Sequence, residues 1–479
     1  MSVNGLAKPQ LSYVMAQDVE MREEDRLLVA TSPYFRVSIP DLSPASRAVM
    51  LELAEGPKTE ESVDNTILGA DGPLALASFY YHLPYLAQHQ MLHFQTGDEN
   101  GSGPLATLVP ISPFFKFSRV VVNNRPYRLS RFAYMRRLEN GEVCLETPLS
   151  HALIRLNRAV ATALIHLLAS ARTPLELAAA CPNVDPGAVT GILALLLTGG
   201  FAAPTDNDDR IFEDEDETLQ QWEFHDLLFH SRSRMGRHNY GVGGNYRFLH
   251  KLDPQPPVKE AQWRQVITLP RPDLASVRAA DPGLTDVMEA RASIRTNDVR
   301  PITLQQLAEF LFRTARVKEQ YEIEDKGVFT KRPYPSGGAS YEMEFYLTVD
   351  KCEGLPAGLY WYDPVAHALA FVHGPDEETE GLLIDAYYAT ARSCRPQILI
   401  TLAARFQRVS WKYNAMAYAT ILKNVGVIYA TMYLVATAMG LAPCGLGLGN
   451  SDRFARTAGT DYLKETSVGE FILGSVAPR

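Results

Sequence analysis

Residues 408–451 read "RVSWKYNAMAYATILKNVGVIYATMYLVATAMGLAPCGLGLGNS", and this stretch decides the fold of the C-terminal half of the chain. A strand-like apolar run, "PQILITLA", precedes it, and its own small and apolar residues form a helix pattern that ends near Gly440. Trp411, Lys412 and Tyr413 lie where the predicted strand gives way to the predicted helix. Taken alone, Lys412 and Tyr413 are most simply a surface lysine beside a half-buried tyrosine, so their role depends on the motifs around them.

The helix pattern in this stretch admits two interpretations. No charged residue occurs between Asn424 and Ser451, which is compatible with a membrane span. The same stretch contains two tyrosines and two threonines, ends in "APCGLGLGNS" and is not accompanied by a second span. We therefore expect a buried core or interface helix in a soluble, cytoplasmic protein.

The composition argues against several classes of function. The chain of 479 residues carries a net charge of −9, which disfavours nucleic acid and anionic membranes as partners. Its five cysteines are scattered and form no CxxC or Cys/His cluster, so neither a disulfide framework nor a zinc site is predicted. The spacings of His225, His230 and His238 do not place metal ligands on one helix face, and we predict no metal.

Two unusual segments divide the chain. Residues 206–217 contain eight acidic side chains in twelve positions, which predicts a solvated linker. Residues 253–272 contain five prolines, which favour extended and irregular chain. The predicted organisation is an N-terminal half, a connector at 206–272 and a C-terminal domain at 273–479.

The N-terminal half contains an internal repeat. The tripeptide "RAV" opens one helix pattern at residue 47 and another one 111 residues later. In each copy, strand-like chain precedes this helix, a threonine (Thr59 or Thr173) begins a second helix, and a leucine-rich third helix and a short strand follow. This order is typical of a winged helix, and it predicts two domains at residues 1–100 and 106–205, joined by residues 96–110.

Winged helices often bind DNA, but the charge of this half argues against that function. Residues 1–205 hold 16 Lys and Arg against 19 Asp and Glu, whereas phosphate neutralisation dominates affinity for DNA. Two interpretations remain: purely structural domains, or domains whose exposed strand edge accepts an extended peptide. The two units resemble the PqqD-like peptide clamps called RiPP recognition elements, which bind the leader of a peptide that is being modified.

The C-terminal domain begins with the motif "RASIR". Its Arg291, Ser293 and Arg295 alternate, so in extended chain they project to one side. Two guanidinium groups and a hydroxyl suit a phosphate or the edge of a flavin, because arginine donates hydrogen bonds in a bidentate fork. Helix and strand patterns alternate after this motif and predict an α/β or α+β sandwich.

Two glycine-containing motifs follow in the same domain. In the turn "PSGG" the glycines allow the backbone to approach a ligand closely. The later "GLGLG" lacks GxGxxG spacing and follows a helix pattern rather than a strand, so it suits a loop laid against a flat ring better than a dinucleotide site. The candidate residues of these two motifs are Pro335, Ser336, Gly337, Gly338, Gly445, Leu446 and Gly447.

In this order, with Lys412 and Tyr413 between the second and third motifs, the domain resembles the nitroreductase superfamily of FMN enzymes. The resemblance implies that the three motifs bind FMN, that a C-terminal arginine, here Arg479, is a further contact, and that two chains form a homodimer. The adjacent lysine and tyrosine are similar to the catalytic pair of SagB-type azoline dehydrogenases, and tandem clamps before such a domain resemble the cyanobactin oxidases. The predicted fold is α+β: a nitroreductase-like, FMN-binding α/β sandwich preceded by two winged-helix peptide clamps.

The family resemblance implies oxidation of thiazoline or oxazoline rings in a ribosomal precursor peptide to thiazoles or oxazoles, with O2 as the final acceptor. The reaction needs a base, and free tyrosine and lysine titrate near 10 and 10.4, roughly. In a dry site, desolvation lowers the pKa of a lysine and a lysine cation stabilises a tyrosinate, so either member of the pair can serve as base. An NAD(P)H-dependent nitro- or quinone reductase and a non-catalytic peptide-docking partner of a cyclodehydratase are the alternative functions.

Overall fold

The computed structural model describes residues 5–25, 27–97, 103–241, 243–260, 262–323 and 327–476. The chain divides into two compact units, Met1–Tyr240 and Gly241–Arg479. Each unit has its own hydrophobic core. The division falls inside the predicted connector, which therefore belongs partly to each unit.

The first unit contains both copies of the repeat. Its elements are β1 (Ser12–Met15), β2 (Glu20–Glu24), β3 (Leu27–Thr31), β4 (Arg36–Ile39), α1 (Pro44–Glu55), β5 (Lys58–Thr59), α2 (Glu60–Asp71), α3 (Pro73–Gln88), β6 (Leu92–Gly97), β7 (Pro104–Pro110), β8 (Tyr127–Leu129), β9 (Tyr134–Arg137), β10 (Val143–Glu146), β11 (Ala152–Leu156), α4 (Ala159–Leu167), α5 (Pro174–Ala180), α6 (Pro186–Gly199), β12 (Ala202–Pro204), α7 (Phe212–Glu215), a 3-10 turn (Leu219–Gln221) and α8 (Phe224–Arg232).

The predicted helix starts of the repeat are present. The hydroxyl of Thr59 accepts a hydrogen bond from the Ser62 backbone amide at the start of α2. Thr173 forms a reciprocal capping box with Glu176 at the start of α5. A side-chain oxygen at this position satisfies a backbone donor that has no partner within the helix, so the sequence alone locates the helix start.

The two copies are more closely joined than the sequence predicted. Seven strands form one sheet in the order β5-β1-β6-β7-β11-β10-β9, and this sheet contains strands of both copies. The predicted joining segment 96–110 contributes strand β7, which pairs antiparallel with β6 of the first copy and β11 of the second. The two copies consequently share one core, because their common sheet buries apolar side chains of both.

The acidic segment also differs from the predicted solvated linker. The side chain of Glu213 in α7 is buried and accepts hydrogen bonds from the Ser130 hydroxyl, at 2.8 Å, and from the Arg131 amide. Burial raises the pKa of Glu213 above its ordinary value. Residues 206–240 therefore belong to the first unit. The hydrogen bonds that Glu213 accepts outweigh the charge repulsion from which a linker was predicted.

The second unit carries the predicted sandwich. Its elements are β13 (Val266–Thr268), α9 (Leu274–Ala280), α10 (Leu284–Ala290), α11 (Leu304–Ala315), β14 (Glu319–Ile323), β15 (Gly327–Lys331), a 3-10 turn (Gly337–Ala339), β16 (Met343–Val349), β17 (Gly358–Asp363), β18 (Ala368–His373), α12 (Glu377–Ala389), β19 (Ile398–Arg405), α13 (Phe406–Ser410), α14 (Ala417–Ala438), β20 (Leu441–Leu446), α15 (Ser451–Ala458) and β21 (Glu465–Ser475).

The main sheet of this unit has seven strands in the order β13-β18-β17-β16-β19-β21-β20, and all of its neighbours are antiparallel. Cores lie on both of its faces, one containing α14 and the other containing α12 and α15. Because the sheet is antiparallel and not parallel, the domain is an α+β fold, which resolves the two alternatives that alternation alone left open.

Helix α14 is the central element of the second unit. Within the described part of the chain it is the one helix long and apolar enough to cross a membrane, judged by length and composition alone. One face of α14, with Ile421, Val425, Ile428 and Met432, is buried in the domain core. The helix also buries the amide side chain of Asn424, which is hydrogen-bonded within the domain. This packing is that of a core helix.

Candidate functional site

Lys412 and Tyr413 follow the short helix α13, which continues directly from the buried strand β19. The backbone amides of both residues donate to the Val409 carbonyl, at 3.1 and 2.9 Å, so the chain turns tightly before α14 begins. Both side chains are half-buried. The junction therefore presents two adjacent polar side chains at the edge of a buried core.

The PSGG turn is brought against this pair at Gly338. The backbone of Gly338 has a φ of +61°, and a Cβ there would lie 2.2 Å from the Tyr413 phenol oxygen and 2.8 Å from Lys412 Nζ. The two polar groups thus converge on one point and lie within about 5 Å of each other. Lys412 Nζ also donates to the Gly338 carbonyl at 3.2 Å. Glycine at this position leaves room for both groups, because any side chain would displace them.

A buried hydrogen-bond network fixes the PSGG turn to α14. The Asn424 side chain accepts from the Gly337 amide at 3.0 Å and donates to Ser336 Oγ at 3.1 Å and Glu342 Oε1 at 2.8 Å. The Ser336 hydroxyl in turn accepts from the Tyr341 amide at 3.0 Å. Burial raises the pKa of Glu342, although Asn424 and Ser336 oppose this by hydrogen bonding. The turn is therefore held rigidly beside the pair.

Residues 243–257, here called the strap, cover the junction from another side. The strap and the junction enclose a cavity of ≈ 580 Å³. Eight strap residues line it, together with Gly327, Phe329, Gly338, Ser340, Arg408, Trp411 and Lys412. A cavity of this size, with aromatic walls and a few polar groups, has the dimensions of a site for a small ligand or a peptide side group.

Arg408 anchors the strap below the cavity. It donates to the Gln255 carbonyl at 2.6 Å and to the Ser340 carbonyl at 2.9 Å. Burial, with repulsion from Arg405 and Arg332 as further causes, lowers the pKa of Arg408 to about 10. Part of the predicted proline-rich connector is therefore a fixed wall of the candidate site.

The RASIR motif and the Gly-rich segment meet at Tyr433 of α14. The Tyr433 hydroxyl is 2.8 Å from Ser293 Oγ and accepts a hydrogen bond from the Gly445 amide at 2.7 Å. The Arg291 guanidinium lies 5.3 Å from the centre of the Tyr433 ring. Arg291, Ser293 and Arg295 are exposed, and Arg295 makes no ion pair within the described residues. Their donors are thus available to an anionic ligand.

The Gly-rich segment differs in part from the predicted loop. Gly445 and Leu446 end strand β20, and the loop begins at Gly447. Leu446 is buried, whereas the space around the Gly447 Cα holds no atom within 4 Å of an added Cβ. An open backbone at Gly447 permits the close approach of a ligand that the sequence predicted.

The two groups of candidate residues lie along one helix. Asn424 contacts the PSGG turn and Tyr433 contacts the other two motifs, and nine helical residues span about 13.5 Å. Pro335 is exposed at the entrance of its turn. Arg479 lies outside the described residues, so its predicted contact remains a prediction.

Sequence reasoning missed Asn424, Tyr433, Arg408 and the strap. Asn424 left a signal, because it occupies a position of the buried stripe that Ile421, Val425 and Ile428 otherwise fill with apolar side chains. A buried amide needs partners, which marks it as a residue that holds other chain segments. Tyr433 and the strap left no comparable signal.

The comparison with protein-family models agrees with this architecture. Residues 288–475 match the family model of the nitroreductase family, which defines the second unit as a nitroreductase-type oxidoreductase domain. A protein of Methanocaldococcus jannaschii named as a nitroreductase is 28% identical over 176 residues, which cover 37% of this chain and 81% of that protein. A structure described as a nitroreductase of Anabaena variabilis is 20% identical and covers 51% of this chain and 45% of that one, with a TM-score of 0.37.

The first unit gives the more particular match. Residues 8–119 match the ThcOx helix turn helix domain, and residues 127–239 match the cyanobactin oxidase ThcOx. The microcin B17-processing protein McbC of Escherichia coli is 30% identical over 115 residues, which cover 23% of this chain and 42% of McbC. The first unit therefore matches the ThcOx-type cyanobactin oxidase models, and the second unit matches the nitroreductase model. The predictions of family, fold and an oxidoreductase are confirmed. The match to McbC covers less than half of the length of that protein.

Proposed function

We propose that this oxidase converts azoline rings of a ribosomal precursor peptide to azoles, with FMN as its cofactor and O2 as the final acceptor. The observation that carries the proposal is the convergence of Lys412 Nζ and the Tyr413 phenol oxygen over Gly338, at the edge of the cavity. Loss of two hydrogens from an azoline requires a group that accepts the ring proton. The Lys412 amine and the Tyr413 phenol can supply that group, and the glycine turn beside them lets a flat ring lie against the backbone.

The residues present fit a flavin mononucleotide. Arg291, Ser293 and Arg295 offer exposed donors suited to its phosphate, and the Gly337–Gly338 backbone and open Gly447 offer surfaces without side chains. When bound, FMN would supply the two-electron acceptor of the reaction. The residues of the three motifs would hold it.

The contacts of the pair support different roles for its members. Lys412 Nζ donates to a carbonyl and lies 5.4 and 5.6 Å from the ring centres of Tyr413 and Tyr246, contacts that suit an ammonium group. The Tyr413 phenol oxygen has no hydrogen-bond partner within the described residues. We therefore assign acceptance of the ring Cα proton to Tyr413, and stabilisation of the resulting negative charge to Lys412.

Separate variants test this assignment. Lys412→Ala and Tyr413→Phe should bind FMN as the wild type does, and neither should oxidise a peptide that contains azolines. Mass spectrometry would follow the loss of two hydrogens per ring in the wild type. Full turnover by either variant would contradict the assignment. Rapid bleaching of the bound flavin by NAD(P)H in the wild type, without azoline turnover, would instead favour the alternative function of an NAD(P)H-dependent nitro- or quinone reductase.

The first copy of the winged helix is the proposed docking site for the leader of the peptide. Strand β4 pairs only with β3, so its other edge lacks a strand partner within the described residues. The nearby helix α3 exposes Tyr81 and Tyr85. His89, just after this helix, contacts both Tyr85 and Phe35, the residue that precedes β4. An unpaired strand edge beside exposed aromatic side chains suits an added peptide strand.

In the second copy the third helix, α6, is buried along most of its length and exposes no aromatic pair among the described residues. The double variant Tyr81→Ser/Tyr85→Ser should weaken binding of a fluorescent leader peptide about tenfold or more, since each aromatic contributes substantial contact area. Tyr388→Ser, an exposed tyrosine of α12, serves as the matched control. Equal binding by all three proteins would argue against docking at the first copy.

We also propose that the enzyme is a soluble cytoplasmic homodimer that uses the exposed face of α14. Gly426 and Ala430 are exposed there one helical turn apart, and small side chains permit close packing of helices. Ala430→Arg should therefore produce monomers in sedimentation experiments. A variant that stays dimeric would place the interface elsewhere.

A further inference from the structure

The strap pairs with the residues that carry the catalytic pair. Gly244 forms an antiparallel bridge with Tyr413, and the Tyr246 amide donates to the Lys412 carbonyl at 3.2 Å. These two contacts fix the backbone of the pair. The strap is thus part of the framework that holds Lys412 and Tyr413.

The pairing continues along the junction in reverse order. The Leu252 carbonyl accepts from Trp411 Nε1 at 2.7 Å, and the carbonyls of Gln255 and Pro256 accept from Arg408 and Arg405 at 2.6 and 2.8 Å. Residue numbers rise along the strap as they fall along the junction. The strap therefore runs antiparallel to the junction and is fastened to it at both ends of the cavity wall.

Tyr246 is the strap residue whose aromatic ring lies beside the charge of the pair. Its ring centre lies 5.6 Å from Lys412 Nζ, and its edge-to-face contact with Trp411 fixes the ring. The Tyr246 backbone has a φ of +50°, a conformation that a bulky residue holds only where its surroundings demand it. A Cβ on Gly244 would lie 3.1 Å from Lys412 Cε, so the lysine stem also packs closely against the strap.

We propose that Tyr246 is a positioning residue, whose ring holds the Lys412 ammonium group over Gly338. The aromatic face attracts the cation on one side, and the Gly338 carbonyl accepts its hydrogen bond at 3.2 Å. Without the ring, the long Lys412 side chain can adopt other rotamers, so that its ammonium group no longer lies beside the Tyr413 phenol. The functional part of this inference rests on the proposed azoline oxidation, whereas the placement of Lys412 can be measured without it.

The test compares Tyr246→Leu, Tyr246→Phe and the matched control Phe248→Leu, which removes an aromatic ring of the same strap that does not line the cavity. A first readout is the rate at which a dilute amine-acylating reagent modifies Lys412, with the exposed Lys423 as internal reference. We expect Tyr246→Leu to raise the relative rate about threefold or more, the factor expected from loss of a cation–π contact. Tyr246→Phe and Phe248→Leu should leave the rate unchanged.

The second readout is the turnover of an azoline peptide by enzyme that is saturated with FMN. Tyr246→Leu should lower kcat about tenfold or more with KM nearly unchanged, because the ring positions a catalytic group. Tyr246→Phe should restore both values. If Tyr246→Leu lowers the thermal stability of the protein, Tyr246→Gln would be measured in its place. The role of the ring would be overturned if Tyr246→Leu and Tyr246→Gln left both the acylation rate and kcat unchanged. It would also be overturned if Tyr246→Phe were as impaired as these two variants. A wild type that never oxidises azolines, with the acylation differences intact, would overturn only the proposed reaction.

Discussion

Replacement of Gly338 by alanine is the sharpest test of the site geometry. The added Cβ would lie 2.2 Å from the Tyr413 phenol oxygen and 2.8 Å from Lys412 Nζ. Neither distance is compatible with van der Waals contact, so both polar groups have to move away. The substitution therefore perturbs the pair without removing either of its side chains.

Two effects contribute, and their magnitudes differ. Alanine in the left-handed region costs about 1–2 kcal/mol, which corresponds to a decrease of about 2–8 °C in Tm for a unit of this size. Relief of the collision requires the Tyr413 phenol oxygen to retreat by about 1 Å, and misplacement on that scale can lower a rate about a hundredfold. Activity should consequently fall much more than stability.

Gly440→Ala is the matched control. Its φ of +64° is close to the +61° of Gly338, but no atom lies within 4 Å of an added Cβ. Both variants should show a similar decrease in Tm, while Gly440→Ala should keep turnover within about twofold and Gly338→Ala should lose about a hundredfold. Turnover would be measured as mass loss from an azoline peptide, per bound flavin. Equal activities of the two variants would refute the convergence of Lys412 and Tyr413 over Gly338.

Three further predictions concern other parts of the second unit. Tyr433→Phe removes the hydrogen bonds that join the RASIR motif to the Gly-rich segment, so FMN affinity in a fluorescence titration should fall about fivefold or more. Burial raises the pKa of Glu470 above 4.5, which means that folding favours the protonated carboxyl and that stability is lost as pH rises from 4.5 through the folded-state pKa. Glu470→Gln should remove that loss, and chemical denaturation should find the variant more stable at about pH 8 than the wild type, with a smaller difference at about pH 5. Lys259 donates to both carboxylate oxygens of Glu465 and to the Tyr346 hydroxyl, and Lys259→Met should cost about 3 kcal/mol, seen by calorimetry as a Tm about 6–12 °C lower. An unchanged FMN affinity, an unchanged pH dependence or an unchanged Tm would contradict the respective prediction.

Local patterns located the elements of this fold well. Thr59 and Thr173 begin helices because a side-chain oxygen satisfies a backbone donor within three residues, an interaction that involves no distant chain. The long helix and its preceding strand were likewise evident from periodicity. The predicted loop at Gly445 was wrong in its first residues, because pairing with β21 extends the strand to Leu446.

Pairings between distant segments were not accessible in the same way. Strand β7 joins both copies of the repeat into one sheet, although its segment was predicted only to connect them. The strap resembled irregular connector because of its prolines, yet its carbonyls accept hydrogen bonds from Arg405 and Arg408. The partner that was missed, strand β11 for β7 and residues 405–408 for the strap, lies far away in sequence, and the local composition carries no trace of it.

The sequence by itself determined the order of motifs, the long helix that follows Lys412 and Tyr413, and the family that this order resembles. Only the tertiary structure decided that Gly338 meets this pair, that Asn424 holds the turn in place and that Tyr246 lies over the lysine. The physical reason is that periodicity and capping are properties of neighbouring residues. A site, by contrast, depends on packing that joins a glycine in a left-handed turn to side chains 74 residues further along the chain.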